Sequence, residues 1–183
     1  MLIVFTGNGK GKTTAAIGQA LRAIGNGSHV LMVQFIKGPW KSGEDESVKA
    51  LDPNFRIEKM GRGFVKTPCD KLPFSEHVAA AHKAFDHALA EARTGKWEIL
   101  IMDEIWVALS LGLLTATRVR DFIDEVLGRA AAGAAARPLC EHLIMTGRGC
   151  PQEFIDRADL VTEMKEVKHP FATGVSAAKN VEF

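Results

Sequence analysis

The sequence is poor in cysteine, and its three cysteines follow no spacing typical of a metal or disulfide site. Cys69, Cys140 and Cys150 are an odd number and include no C-x-x-C pair, so neither a disulfide framework nor a structural zinc site is indicated. The histidines are scattered without ligand spacing, and no zinc site is predicted from them. Reduced thiols in a cytoplasmic protein are the simplest interpretation.

The sequence also lacks an excess of charge of either sign. Lys and Arg total 23 against 22 Asp and Glu, which gives a formal net charge of +1. Nucleic-acid-binding domains usually carry a basic excess, so the charge balance does not indicate that class, although a local basic patch stays open. Hydrophobic residues make up 46% of the chain and charged residues 25%, which excludes disorder of the whole chain. The length predicts a single domain over residues 1–183.

Long hydrophobic runs are missing as well. The apolar run at the start, residues 2–5, is too short for the core of a signal peptide. The longest apolar zone, residues 97–114, contains Glu98, Asp103 and Glu104. Carboxylates are expensive inside a bilayer, so this zone argues against a membrane span and no membrane partner is expected.

Short apolar runs alternate with segments of helical spacing. The runs predict buried strands at residues 2–5, 30–35 and 99–102, and further strands at residues 55–60, 142–146 and 160–164. Helical spacing predicts helices from Lys12 to Gly25, from an N-cap at Ser75 to Gly95, and over residues 119–127 and 153–158. Residues 37–43 are predicted to form a loop, and the alanine-rich residues 128–137 a frayed helix end or surface connection. This alternation predicts an α/β fold, a parallel sheet with helices on both faces.

A glycine-rich turn joins the first predicted strand to the first predicted helix, where a phosphate-binding loop belongs. Glycines let backbone N–H groups face phosphate oxygens, and the helix N-terminus adds partial positive charge. Lys12 would reach the outer phosphates and the Thr13 hydroxyl would hold Mg²⁺. The candidate nucleotide-binding residues are Gly7, Asn8, Gly9, Lys10, Gly11, Lys12, Thr13 and Thr14. The loop is one residue shorter than G-x-x-x-x-G-K-[ST], and a chance glycine-rich turn is the alternative.

Polar residues follow two other predicted strands. Asp103 and Glu104 end one of them, near the crevice where ligands bind in parallel sheets, and an acid there supports Mg²⁺ in phosphate-loop proteins. Arg148 follows another and would contact phosphate or ribose oxygens. The alternative for Asp103 and Glu104 is a pair of solvated acids, and the alternative for Arg148 is a surface turn with a solvated arginine. These motifs alone predict the binding of a nucleoside triphosphate with Mg²⁺, and a kinase, a hydrolase and a nucleotide-gated switch stay open.

The order of motifs along the whole chain resembles that of one family. The matching segments are residues 5–14, 33–38, Trp40, 43–44, 60–64, 102–104, 146–149, 158–164, 168–171 and Gly174. Together they resemble the corrinoid adenosyltransferases, the ATP:cob(I)alamin adenosyltransferase family of the phosphate-loop type. The short phosphate loop is also a feature of that family.

The resemblance implies a P-loop NTPase-like (RecA-like), mostly parallel sheet and a specific reaction. Co(I) of a corrinoid attacks the 5′ carbon of ATP, triphosphate leaves, and the adenosylated corrinoid forms. Lys12, Thr13 and Glu104 would be catalytic, with Mg²⁺ on Thr13 and Glu104 and with Asp103 nearby. The corrinoid would be cobalamin or a precursor such as cobyrinic acid a,c-diamide. A homodimer and a reductase that supplies electrons to Co(II) are implied too. The alternatives are a corrinoid- or nucleotide-binding delivery protein and an ATP-dependent kinase or ATPase.

Two departures from the family pattern set further expectations. Familiar members carry Phe-x-Trp after the second glycine-rich loop, whereas this chain has Phe64 and then Lys66. The resemblance implies that Phe64 lies against the lower corrinoid face, alone or with another residue, and keeps an axial ligand off cobalt. The alternative is that Phe64 anchors its loop in the core. Longer members also carry an N-terminal arm that helps to cover the site. In this chain, we expect that another segment covers the site or that the cover is absent.

Overall fold

The computed structural model describes residues 1–38, 40–129, 137–170, 174 and 181. Within them, strands and helices alternate from the first residues onward. The strands are β1 (Leu2–Thr6), β2 (Val30–Gln34), β3 (Phe55–Lys59), β4 (Ile99–Asp103), β5 (His142–Thr146) and β6 (Leu160–Glu163). The helices are α1 (Lys12–Gly25), α2 (Gly43–Lys49), α3 (Phe74–Arg93), α4 (Ile105–Ser110), α5 (Ala116–Val126) and α6 (Gln152–Arg157). Most of the predicted alanine-rich segment, residues 130–136, and Phe171 lie outside the described residues.

The six strands form one sheet in the order β3-β2-β4-β5-β1-β6. Every neighbouring pair is parallel, which confirms the predicted sheet. All the strands therefore end at the same edge, and the loops that carry the glycine-rich, acidic and arginine motifs emerge there together. Strands β4 and β5 lie between β1 and β2, so the carboxylates that end β4 come close to the loop that follows β1.

Helices cover both faces of the sheet, as predicted. On β1, Leu2 and Val4 belong to a core with α3, α4, α5 and α6, whereas Ile3 and Phe5 pack with Ala16 and other residues of α1. This alternation follows from the two-residue period of a strand, and burial of both faces explains why β1, β2, β4 and β5 are largely continuous apolar runs. The edge strands β3 and β6 are less covered. No helix among the described residues combines the length and apolar content that crossing a bilayer requires.

Two helices were not predicted, and one predicted cap is wrong. Helix α2 begins inside the predicted loop, and its start carries a capping box between Ser42 and Asp45. Helix α4 follows β4 directly, and its apolar residues could not be told from a longer strand by periodicity. Helix α3 begins at Phe74 after an extended Pro73, so Ser75 lies within the first turn and does not cap the helix.

The packing of α4 and α6 onto the sheet gives a test of stability. Phe154 is fully buried and its ring centroid lies 5.1 Å from that of Trp106. We expect Phe154→Ala to lower the free energy of unfolding by roughly 3–5 kcal/mol, because it leaves a cavity in the core. Phe64→Ala is the matched control: its ring is 58% exposed, so the loss should stay below about 1 kcal/mol. Urea denaturation of the unliganded proteins measures both, and equal losses would contradict the burial assigned to these rings.

Candidate active site

The turn after β1 follows a path that only glycine can take at two points. Gly7 and Gly11 have φ values of 93° and 114°, in the left-handed region that side chains disfavour. A Cβ on Gly7 would lie 2.4 Å from the carbonyl oxygen of Met164, and the Gly9 N–H donates to that same oxygen at 2.6 Å. The turn is therefore pressed against the end of β6, and its backbone leads directly into the N-terminus of α1.

Lys12, the first residue of α1, holds this turn together. Its side chain is folded over the turn, and Nζ donates to the carbonyl oxygens of Gly7 at 2.8 Å and Gly9 at 2.7 Å. Burial lowers the pKa of the Lys12 ammonium, while the nearby carboxylate of Glu104 opposes that shift. A buried cation at the start of a helix, next to exposed N–H groups, is a setting that attracts an anion.

Asp103, at the end of β4, is fully buried and is the centre of a hydrogen-bond network. Its Oδ1 accepts from the Thr13 hydroxyl at 2.9 Å and from the Thr146 hydroxyl at 2.7 Å. Its Oδ2 accepts from Nε2 of Gln34 at 3.0 Å. Burial raises the pKa of Asp103, and the Thr146 hydrogen bond lowers it. The network joins α1 to the carboxyl ends of β2, β4 and β5.

Glu104 turns the chain from β4 into α4. Its φ of 61° is left-handed, which is uncommon outside glycine and is often found at functional sites. Its N–H donates to the hydroxyl of Thr146 at 3.0 Å, so the same threonine that binds Asp103 also holds this backbone. Burial, and then the charge of Asp103, raise the pKa of Glu104 to about 7.

These groups surround a cleft of about 620 Å³ at the carboxyl edge of the sheet. The predicted residues that line it are Asn8, Gly9, Lys10, Gly11, Lys12, Thr13, Thr14, Glu104 and Arg148. Gly7 and Asp103 do not line the cleft, but each is hydrogen-bonded to a residue that does, Gly7 to Lys12 and Asp103 to Thr13. The structure thus brings together the three motifs that were predicted separately.

Phe64 lies apart from this cleft, on the loop after β3. Its ring is 58% exposed, and its centroid lies 5.4 Å from that of Trp40 at an interplanar angle of 39°. The alternative that Phe64 anchors its loop in the core is therefore wrong, and the neighbouring Val65, only 7% exposed, does so instead. The Lys66 ammonium lies 4.2 Å from the centroid of the Phe74 ring.

Several residues of the site were given no role from sequence. Gln34 and Thr146 are the polar ends of apolar strands, and that position was the available signal. Lys37 and Glu44 form an ion pair and both line the cleft, but nothing in their spacing along a loop indicates that contact.

A second cavity, of about 730 Å³, begins one residue further along the same loop. Gly38 lines it together with Arg62, Leu72, Ala79 and Ala80, whereas the preceding Lys37 lines the phosphate-loop cleft. Consecutive residues of one loop therefore line the two cavities.

Comparison with known proteins agrees with this geometry. The family model described as "ATP:corrinoid adenosyltransferase BtuR/CobO/CobP" matches residues 1–183. The corrinoid adenosyltransferase of Pseudomonas aeruginosa is 38% identical over 183 residues, which cover all of this chain and 83% of that protein. The corrinoid adenosyltransferase of Escherichia coli and the corrinoid adenosyltransferase CobA of Salmonella typhimurium are each 34% identical, again over this whole chain and 85% of theirs. The chain therefore belongs to the ATP:corrinoid adenosyltransferase family.

Proposed function

We propose that this chain transfers the 5′-deoxyadenosyl group of ATP to the Co(I) of a corrinoid at the cleft described above. A Co–C bond forms at the 5′ carbon, the C5′–O bond breaks, and triphosphate leaves with the bonding electron pair. The observation that carries the proposal is the convergence of Lys12, Thr13, Glu104 and Arg148 on one cleft behind a glycine-rich turn. Because Co(I) is itself a strong nucleophile, the protein's task is to position the two reactants and to stabilise the leaving triphosphate.

The phosphate loop is proposed to hold the triphosphate through its backbone and two cations. The first residues of α1 line the cleft, and free N–H groups at helix N-termini commonly bind phosphate. Lys12 is already desolvated beside them, so its charge acts strongly on an anion that enters. Arg148 is exposed and lines the cleft, and it supplies a second cation for phosphate or ribose oxygens.

The donor atoms beneath the cleft are suited to Mg²⁺. The Thr13 hydroxyl donates a hydrogen bond to Asp103, which leaves its oxygen lone pairs for a cation, and Glu104 offers a carboxylate. No three His, Cys, Asp or Glu side chains among the described residues form a metal-binding group, so an ion here would rely on substrate phosphates, as Mg²⁺ commonly does. Mg²⁺ would neutralise charge on the departing triphosphate. Both Asp103 oxygens already accept hydrogen bonds, so we assign Asp103 to holding Thr13.

The finer assignments are proposals from the family pattern. The corrinoid is taken to be cobalamin or an incomplete precursor, with cobyrinic acid a,c-diamide as the precursor to test. We also propose that residues 1–183 act as one domain, that the protein is a cytoplasmic homodimer, and that a separate reductase supplies the electrons that form Co(I).

The phosphorus product distinguishes the proposed reaction from its alternatives. With ATP, Mg²⁺ and chemically reduced cobalamin, we expect phosphorus NMR of a single turnover to show intact triphosphate in equal amount to adenosylated cobalamin. A kinase or ATPase would release ADP or orthophosphate instead, and a delivery protein would form no product. Either of these results would contradict the proposed function.

Removal of the Lys12 charge tests the phosphate site. We expect Lys12→Ala to lower the rate of adenosyl transfer by an amount equivalent to about 2.7–4 kcal/mol, the usual cost of losing one preorganised electrostatic contact. Lys49→Ala, which removes an exposed cation of α2, is the matched control and should react at the wild-type rate. Single-turnover kinetics measures both, and circular dichroism checks that the loop contacts of Lys12 are not required for folding. Equal rates in the two variants would mean that triphosphate leaves from another site.

The raised pKa of Glu104 predicts a pH dependence with a definite sign. A carboxyl whose pKa rises from 4.5 to about 7 on folding favours the folded state below pH 4.5, and that contribution is lost as the pH rises through about 7. Without ATP and Mg²⁺, wild type should lose stability relative to Glu104→Gln across this range.

A saturating mixture of ATP and Mg²⁺ should reverse the trend, because ligation favours the ionised carboxylate. Thermal denaturation at several pH values, in both variants and both conditions, measures this. Parallel curves for wild type and Glu104→Gln in every condition would show that Glu104 does not titrate in this range.

A further inference from the structure

The loops that follow β2 and β3 run side by side beyond the ends of their strands. The N–H groups of Gly61 and Gly63 donate to the carbonyl oxygens of Gln34 at 3.2 Å and Ile36 at 3.0 Å. A Cβ on Gly61 would lie 2.5 Å from the carbonyl oxygen of Phe35, so the close approach requires glycine. These contacts fix residues 60–63 relative to residues 35–38, and the aromatic side chains that follow each segment are brought together.

Trp40 is held in place from both sides. Nζ of Lys59, at the end of β3, donates to the Trp40 carbonyl oxygen and to the Ser42 hydroxyl, both at 2.9 Å. The indole covers Gly38 and Gly63, where a Cβ would come within 2.7 Å and 2.6 Å of its ring atoms. The ring therefore lies on glycine backbone, and its position is set by the fold.

The rings of Trp40 and Phe64, here called the aromatic pair, contact each other at a tilt of 39° and are nevertheless exposed. Trp40 is 59% and Phe64 58% exposed, whereas Trp97 and Trp106 are buried. The Trp40 ring lies on glycine backbone and the Phe64 ring contacts it, yet both rings are open to water. Together they form an exposed apolar surface that no described part of the chain covers. Such preorganised exposed aromatic surface is a feature of ligand sites.

We propose that Trp40 supplies, beside Phe64, the second ring of the corrinoid platform, the ring that Lys66 does not provide. The inference rests on the proposed function. The Lys66 ammonium is turned toward Phe74 and lies 3.5 Å from the Leu111 carbonyl oxygen, so its side chain takes no part in the pair.

The position of the pair agrees with this role. Lys37 lines the phosphate-loop cleft and Gly38 lines the adjoining 730 Å³ cavity, and Trp40 follows on the same loop. A macrocycle seated on the pair would thus lie beside the triphosphate cleft. The apolar face of the macrocycle matches the exposed faces of these two aromatic rings, which would also exclude water from the part of the corrinoid that they cover.

The test measures the dissociation constants of cob(II)alamin and of ATP with Mg²⁺ separately, by anaerobic equilibrium dialysis. We expect Trp40→Ala to weaken cob(II)alamin binding by at least roughly tenfold, from lost stacking area. ATP affinity and the melting temperature of the unliganded protein should stay close to wild type. Trp40→Phe should restore most of the corrinoid affinity. The absorption spectrum of bound cob(II)alamin, which reports axial ligation, should change with Trp40→Ala and recover with Trp40→Phe.

Phe74→Ala is the aromatic control, since its ring is also partly exposed but lies outside the aromatic pair. It should leave cob(II)alamin affinity near wild type. Unchanged corrinoid affinity in Trp40→Ala, an equal loss of ATP affinity, or the same loss in Phe74→Ala would each overturn the platform while triphosphate formation by wild type still upheld the proposed function. Corrinoid binding that depends on Trp40, without any triphosphate product, would uphold the platform and overturn the proposed reaction. A wild-type protein that binds no corrinoid would overturn both.

Discussion

The buried carboxylate of Asp103 is the constraint on which the site depends. Removing a carboxylate from water costs several kcal/mol of folding free energy unless the group is fully hydrogen-bonded. Here three side chains from three different elements donate those hydrogen bonds. Thr13 comes from the start of α1, Gln34 from the end of β2 and Thr146 from the end of β5. The phosphate loop, the loop that leads to Trp40 and the turn that carries Arg148 are thereby fixed to one another.

The same network explains the left-handed backbone and the raised pKa of Glu104. Thr146 donates to Asp103 and accepts from the Glu104 N–H, so one hydroxyl holds the left-handed turn in place. The turn places a second carboxyl beside Asp103, and their proximity, together with burial, raises the pKa of Glu104. Two close carboxyl groups are unfavourable when both are ionised and the site has no further cation. The proposed Mg²⁺ would reduce that penalty, so the repulsion in the free protein favours the loaded state.

The sequence was sufficient to predict the elements of the site but not their contacts. The apolar run that forms β4 and the glycine-rich turn before Lys12 depend on local sequence alone. Both were therefore identified without a structure. The bonds from Gln34 and Thr146 to Asp103 span 69 and 43 residues and depend on the strand order. Helix α4 was missed for another reason: its short apolar sequence suits a buried strand as well as a buried helix.

The pairing of Trp40 with Phe64 shows most clearly why a family pattern is incomplete without the fold. Read along the sequence, the absence of a tryptophan at position 66 leaves Phe64 without a partner. In the structure, the parallel pairing of β2 with β3 aligns their following loops, and an aromatic ring 24 residues earlier in the chain reaches it. The loop that carries Trp40 also carries Lys37, which lines the phosphate-loop cleft, and Lys59 fixes its backbone. On the proposed assignments, one anchored loop contacts both substrates. Transfer requires cobalt, the 5′ carbon and the leaving oxygen to be aligned within a fraction of an ångström. A loop shared by the two sites therefore makes the position of the corrinoid depend on the same backbone that positions the triphosphate.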